Sequence, residues 1–343
     1  MARNILASLL VNPGDVIMMT SALELMRRKL PRDTRLGALL RPGTAEILEG
    51  SAVVDEVIIY PYRSGSLFYG LGDLRKKIKR GNYNFFLSLD RRPRGALAAF
   101  ITGIKKRVGP NVLYEGSREE LWTRLLFTET IELSREECSG SQVEMFQLIA
   151  RRAFDIQGQG RISLPSPSPA RLQKVGTLLA FSQTSGPLIG LCVKTNDPSK
   201  TWPAEGFSIL IEKLHRELHA SIYITGSKDD ADYVAGVLQM TPSTPALNLA
   251  GKTELMDLQA LALKSDLFIG PDNATTHLIA NSGLKKMICL LLGTSKGKIF
   301  DSMPEAVFIR LSGSRVEGTG DGKEQTAGEA ELVFKAAKDI LAQ

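Results

Sequence analysis

No apolar run in this 343-residue sequence approaches the ~20 residues that a membrane-spanning helix needs, so no such helix is expected. The chain enters a strand-like stretch at residues 4–11 directly, which leaves no signal peptide to cleave and points to a cytoplasmic protein. Cysteine is scarce too. Cys138, Cys192 and Cys289 are scattered, odd in number and never spaced C-x-x-C, which speaks against a disulfide framework or a zinc site and fits a reducing compartment. Of the three histidines, His215 and His219 stand four apart without the glutamate pattern of a metalloprotease, so a solvated helix face is preferred to a metal pair. Aromatic residues make up only 6% of the chain and do not interleave with its basic runs, which disfavours nucleic acid as a partner. Neither a Walker-type loop nor a G-x-G-x-x-G in a strand-to-helix setting occurs, so kinase and dinucleotide readings lack support.

What is present is a globular chain long enough for two domains. Its net charge of +6 is unevenly spread: residues 1–160 carry 24 Lys and Arg against 18 Asp and Glu, residues 161–343 carry 19 against 19. Over residues 1–110, 19 basic residues face nine acidic ones, with runs at Arg27-Arg28-Lys29, Arg75-Lys76-Lys77, Arg91-Arg92 and Lys105-Lys106-Arg107. A basic first half implies an anionic partner, such as a phosphorylated glycolipid or a membrane surface.

Apolar strand-like runs alternate with helical spacing from end to end. Strands are expected at residues 5–11, 36–40, 57–60, 85–89 and near 107–109, with helices at 16–30, 45–49, 67–79, 94–101, 121–127 and 143–154. A polar, Gly-rich stretch at 157–160 and a Pro/Ser spacer at 164–169 then mark a linker. The alternation restarts with strands at 188–193, 222–225, 246–249, 267–269, 287–292 and 307–311, and a helix at 329–341 closes the chain. Such alternation predicts parallel sheets covered on both faces, whose ligands sit beyond the carboxyl ends of the strands.

Three loops at such ends stand out. In the first, Gly14 is expected to take a backbone angle closed to other residues and so present Asp15 as a general base; a plain helix cap is the competing reading. The second, residues 193–203, offers Thr195, Asn196, Ser199 and Lys200 to phosphate oxygens, or is an ordinary polar connection. The third is residues 268–283, where an apolar run breaks at Gly270-Pro271. There Asp272 is expected to cap a new helix whose first turn seats an anion, with Asn273 and His277 on one face. A capped helix with a surface histidine is the alternative.

Taken in order, Gly14-Asp15-Val16, K-x-W-P-x-x-x-F at Lys200 to Phe207 and G-x-D-x-x-x-x-H-L-x-A at Gly270 to Ala280 resemble the family 9 glycosyltransferases, among them the lipopolysaccharide heptosyltransferases. The resemblance spans essentially the whole chain. It implies a GT-B fold of two Rossmann-like α/β domains facing a central cleft: an acceptor-binding domain over residues 1–162, a nucleotide-sugar domain over 170–325, and a C-terminal helix at 326–343 returning to the first. It further implies an inverting, metal-independent transferase without cofactor, moving heptose from ADP-heptose onto an anionic, lipopolysaccharide core-type glycolipid at the cytoplasmic face of the inner membrane. By position, Asp15 matches the base and Lys200 the lysine that stabilises the leaving diphosphate. Thr195, Asn196, Lys228, Thr253, Asp272, Asn273, Ala274 and His277 fall at donor positions, and Gly14, Arg91 and Arg92 on the acceptor side. The chain departs from the family pattern at Asn273-Ala274, where a hydroxyl residue and a glycine are usual, and at Lys228, where a glutamate is usual. Two other functions share the expected architecture: a sugar-nucleotide epimerase or hydrolase, and a non-catalytic nucleotide-sugar-binding protein.

Overall fold

The computed structural model describes residues 4–60, 70–112, 119–180, 185–293, 306–312 and 321–343. The chain divides into two compact units, Met1–Pro165 and Ser166–Gln343, with the boundary inside the Pro/Ser spacer.

Unit 1 runs β1 (Asn4–Leu9), α1 (Pro13–Lys29), β2 (Arg35–Leu40), β3 (Glu56–Ile59), α2 (Leu71–Arg80), β4 (Phe85–Ser88), α3 (Pro93–Thr102), β5 (Lys106–Val112), α4 (Glu119–Leu126), β6 (Glu129–Leu133), α5 (Arg135–Ser139) and α6 (Gln142–Phe154). Its six strands are parallel, in the order β3-β2-β1-β4-β5-β6. Unit 2 runs α7 (Pro169–Leu178), β7 (Leu188–Cys192), α8 (Ala204–Leu218), β8 (Ser221–Thr225), α9 (Ala231–Gln239), β9 (Ala246–Asn248), α10 (Asp257–Lys264), β10 (Leu267–Pro271), α11 (Ala274–Ala280), β11 (Met287–Leu291), β12 (Ala306–Arg310) and α12 (Asp321–Ala342). Its sheet, also parallel, is ordered β12-β11-β10-β7-β8-β9.

Counted from its own first strand, each sheet has the order 3-2-1-4-5-6: two Rossmann-like α/β units, the composition of a GT-B fold. In each, the chain starts mid-sheet, winds to one edge, then returns and winds to the other. The strand direction of winding reverses between β1 and β4 in unit 1 and between β7 and β10 in unit 2. At such a point the two connecting helices leave to opposite faces, and the loops they spring from open a crevice.

The central strands are buried on both faces, which is why they read as continuous apolar runs rather than alternating ones. β6 is the strand that the sequence pattern does not reveal: at the sheet edge only Ile131 and Leu133 of Glu129–Leu133 are buried, and the remaining residues are polar. The short helix at 45–49 is a 3₁₀ turn, Ala45–Ile47, and the start of the helix expected at 67–79 lies outside the described residues. Residues 326–342 form most of α12, which lies along α8 within unit 2, with Lys213 Nζ 2.5 Å from Glu331 and over the Phe334 ring.

α7 is fastened to α10 by one carboxylate. Asp257, its side chain 1% exposed, accepts from Arg171 Nη1 at 2.8 Å, Lys174 Nζ at 2.5 Å and the Glu254 amide at 2.9 Å. Burial works to raise its pKa, yet Lys174, the Glu254 amide and Arg171 together hold it below the usual carboxylate value. The charged form is therefore the bound one, and its stabilisation is present near neutrality and lost as the pH falls through the depressed value. Asp257→Ala is expected to cost unit 2 about 2–3 kcal/mol in urea denaturation at neutral pH; an unchanged midpoint would contradict this anchoring.

Candidate active site

In unit 1, β1 leads into Asn12 and Pro13. Asn12 precedes α1 in extended conformation and Pro13 is its first residue, a position suited to its fixed φ and missing N–H. Because the helix begins there, Gly14 already has helical backbone and is absent from the residues with positive φ, which corrects the expectation of a glycine-only angle. Asp15 lies in the first turn, where a carboxylate is favoured by the helix dipole. Its Oδ2 is 3.6 Å from Arg92 Nη2, with the Asp15 side chain 27% and that of Arg92 50% exposed. Asn12 Oδ1 accepts from Arg41 Nη1 at 3.1 Å, which brings the β2 loop to the same edge.

Arg92 comes from the loop after β4, the other strand at the reversal. Between β4 and α3 stands Asp90, 5% exposed, whose Oδ1 accepts from the Arg92 amide at 2.8 Å. Its Oδ2 is buried without a hydrogen-bond partner, as is Ser8 Oγ. Burial, the largest effect, pushes the Asp90 carboxyl up to about 6 against the Arg92 amide and the charges of Arg92 and Arg94, while Asp15 pushes the same way as burial. Asp15, Asp90, Arg91 and Arg92 line a cavity of about 210 Å³ together with Met19, Gln142, Met145 and Phe146. Asp90 is not among the residues singled out from the sequence, although it follows the apolar run 85–89 as Asp15 follows 5–11.

For an acid whose pKa is raised on folding, the favourable contribution is full below the unfolded value and is lost as the pH rises through the folded one. Between pH 4 and 7, Asp90→Asn is therefore expected to gain on the wild type in stability. From a rise of 3.8 to about 6 the gap should widen by about 3 kcal/mol. Urea titrations of both proteins at several pH values measure it, and parallel curves would refute the burial argument.

In unit 2, β7 opens the second loop. Thr195 Oγ1 donates to the Asp197 carbonyl at 2.6 Å, and Asp197 Oδ1 accepts both the amide and the hydroxyl of Ser199. These two hydroxyls thus shape the loop, closing the 3₁₀ turn Pro198–Lys200, while Asn196 is exposed and Lys200 half-buried. Trp202 anchors the end of the loop. It is buried, meets Phe207 edge-on at 4.9 Å, leaves room for no side chain at Gly206, where a Cβ would lie 2.5 Å from the indole, and donates from Nε1 to Glu329 of α12 at 2.8 Å. The other oxygen of Glu329 takes the amide and hydroxyl of Ser312 after β12.

The third loop follows β10. Pro271 is still paired with Leu290 in the sheet, and after a bend at Asp272 the residue before the helix, Asn273, is extended at φ −147° and ψ 177°. The cap is therefore Asn273, whose Oδ1 accepts from Thr276 N at 3.0 Å, and not Asp272 as the sequence suggested. Asp272 Oδ1 instead stands 3.1 Å from His277 Nε2, both side chains nearly buried. Asn273 Nδ2 reaches across the reversal to Cys192 Sγ at 3.2 Å and the Lys194 carbonyl at 3.4 Å. Asn273 and His277 are thus engaged on separate partners rather than aimed together at one anion. Ala274 is the first residue of α11.

Lys228, exposed, opens the turn after β8 that Ser227 and Asp230 close reciprocally. Thr253 follows the turn after β9, where Gly251 has φ +71° and donates to the Gly226 carbonyl at 3.1 Å. Lys194 Nζ completes the set, 3.1 Å from Asp230. Loops from β7, β8, β9 and β10 are therefore tied into one rim, to which Cys192, Lys194 and Asp230 contribute without having been foreseen. After β11 the sequence is rich in glycine and lysine over 293–298, of which residues 294–298 lie outside the described residues. Among the described residues, no group of three or more His, Cys, Asp or Glu is placed to hold a metal ion.

Residues 71–311 match the family model described as Glycosyltransferase family 9 (heptosyltransferase). Lipopolysaccharide heptosyltransferase 3 of Escherichia coli is 22% identical over 271 residues, 78% of this chain and 77% of the relative. Among solved structures, the glycosyl transferase family 9 protein from Veillonella parvula DSM 2008 superposes with a TM-score of 0.81 at 20% identity, covering 99% of this chain and 97% of the other. The E. coli heptosyltransferase WaaC with ADP-2-deoxy-2-fluoro heptose does so with 0.71 at 16%, covering 98% and 99%.

Proposed function

Since the chain belongs to glycosyltransferase family 9 and is a glycosyltransferase, we propose that it transfers heptose from ADP-heptose, with inversion, to an anionic glycolipid of lipopolysaccharide core type. The observation that carries this reading is positional: Asp15 and Arg92 spring from the two strands at the reversal of one sheet, Lys200 and Asn273 from the equivalent two strands of the other. Asp15 would take the proton of the acceptor hydroxyl as its oxygen bonds to the anomeric carbon, and the bond from that carbon to the diphosphate breaks with its electron pair leaving on the phosphate oxygen. Lys200 would neutralise that charge, so that no metal is required. Thr195, Asn196, Asp272, Asn273, Ala274 and His277 form the rim where the diphosphate and sugar are proposed to lie, with Lys228 and Thr253 toward the nucleoside. Gly14, Arg91 and Arg92 are assigned to the acceptor, whose anionic groups suit the basic first half of the chain.

No helix of the described residues is long and apolar enough to cross a membrane; the acceptor is proposed to be met from the cytoplasmic side by peripheral contact. The deciding experiment incubates purified protein with ADP-heptose and a lipopolysaccharide-core acceptor and follows the product by mass spectrometry and NMR. The reading predicts a heptosylated product of inverted anomeric configuration, formed equally well in EDTA. Transfer from UDP- or GDP-sugars in preference to ADP-heptose would overturn the donor assignment, and release of free sugar without transfer would favour a hydrolase.

A further inference from the structure

Asp90 is a buried titratable group that the proposed chemistry does not use. It lies beneath the reactive edge of unit 1, and its surroundings are tightly fixed. Ser8 and Ser88 stand opposite one another in the β1–β4 ladder, and Ser88 Oγ donates to the Asp90 carbonyl at 3.1 Å. α3 is laid directly on this group: a Cβ at Gly95 would come within 2.3 Å of Ser88 Oγ and 3.0 Å of Asp90 Oδ2. α3 thus closes the carboxyl in on the Gly95 side. One oxygen holds the Arg92 amide, the other is sealed off without a partner, and the Arg92 guanidinium reaches over to Asp15.

We propose that Asp90 is a positioning residue for Asp15, acting through Arg92. This rests on the assignment of Asp15 as the base. Ionised, Asp90 accepts the Arg92 amide as a charge-assisted bond, fixes the Arg91–Arg92 segment and shares the positive charge of Arg92 with Asp15. Protonated, it withdraws that negative charge, and Asp15 alone faces Arg92. The charged groups acting on Asp90 are Arg92 from its own connection, Arg94 from the first turn of α3 and Asp15 from α1. Because its carboxyl titrates near 6, the change falls in the range where enzymes are assayed. A carboxylate that only shaped the turn would do so in either protonation state, since its bonded oxygen accepts in both.

The test is the pH profile of kcat/KM for transfer from ADP-heptose, in wild type, Asp90→Asn, Arg92→Ala and the double variant. Asparagine keeps the acceptor for the Arg92 amide but cannot ionise. Asp90→Asn is expected to lower kcat by about tenfold at pH 8 with the acceptor KM little changed, and to remove the acid limb near pH 6. In the Arg92→Ala background the same substitution is expected to have almost no further effect. An unaltered acid limb in Asp90→Asn, or equal losses with and without Arg92, would overturn the proposal. Should Asp90→Asn not fold, Arg92→Ala alone decides: an acid limb that stays near pH 6 after loss of the guanidinium rules out action through Arg92. Failure of the base assignment would show separately, as full activity in Asp15→Asn.

Discussion

Asp15→Asn is expected to reduce sugar transfer by about 10²–10⁴-fold while leaving the thermal midpoint almost unchanged. The separation of the two effects follows from the position of the side chain. Asp15 is a first-turn helix residue, where a carboxylate contributes about 0.3–1 kcal/mol through the dipole. Its ion pair with Arg92 is long, at 3.6 Å, and half exposed on the arginine side, so that pair adds at most about 1 kcal/mol. Chemically the loss is large, because an amide cannot accept the acceptor's proton as its oxygen attacks. Rate assays at saturating acceptor, with circular dichroism on the same samples, measure both quantities. If Asp15→Asn turns over at the wild-type rate, proton removal occurs elsewhere, and Asp90 is then the first group to examine, since it is the other carboxylate lining the same cavity.

The parts of the fold that are legible in the sequence are those whose burial leaves a one-dimensional trace. β1, β4, β10 and β11 are largely apolar because both faces are covered, with Ser8 and Ser88 as buried polar exceptions, and the helices between them carry buried residues four apart, as at Leu74 and Ile78 of α2. β6 and α5 leave no such trace. An edge strand with two buried residues looks like any polar connection, and a five-residue helix is too short for a period to emerge. Caps are decided by where the preceding strand releases the chain: β10 stays paired through Pro271, and that moved the cap from Asp272 to Asn273.

The site was legible only as loops. That Asp15 and Lys200 lie close to strand-to-helix connections can be read from periodicity; that each connection lies at the reversal of its own sheet requires the strand order. Interactions between loops are invisible to spacing. Asn273 reaches Cys192, 81 positions away, and Trp202 reaches Glu329, 127 away, and nothing local in either pair marks the other. Asp90 is illegible for a different reason: it precedes Arg91-Arg92-Pro93-Arg94, a run that reads as solvated, and its burial comes from the close approach of α3 at Gly95.

Lys200→Ala is expected to lower kcat by about 10²–10³-fold, the range found when one preorganised donor is removed from a developing charge. The loop that carries Lys200 is held independently of the lysine itself. Asp197 closes the turn through Ser199, and Trp202 is wedged between Gly206 and Phe207 and tied to Glu329. Among the described residues Lys200 makes no ion pair closer than its charge interaction with Asp197, and its removal should leave unit 2 folded. A residue that acts on the departing diphosphate must lower kcat more than it weakens the ground state, because the charge on the leaving oxygen appears only as the bond breaks. Calorimetric titration with ADP should therefore show a modest loss of affinity beside a large loss of rate, with Lys200→Arg recovering part of the rate but not all, since a planar guanidinium does not replace a point charge. The opposite division, a raised donor KM at unchanged kcat, would make Lys200 a binding residue only and would leave the leaving group's charge to be met by another cation on the same rim, Lys194 or Lys228.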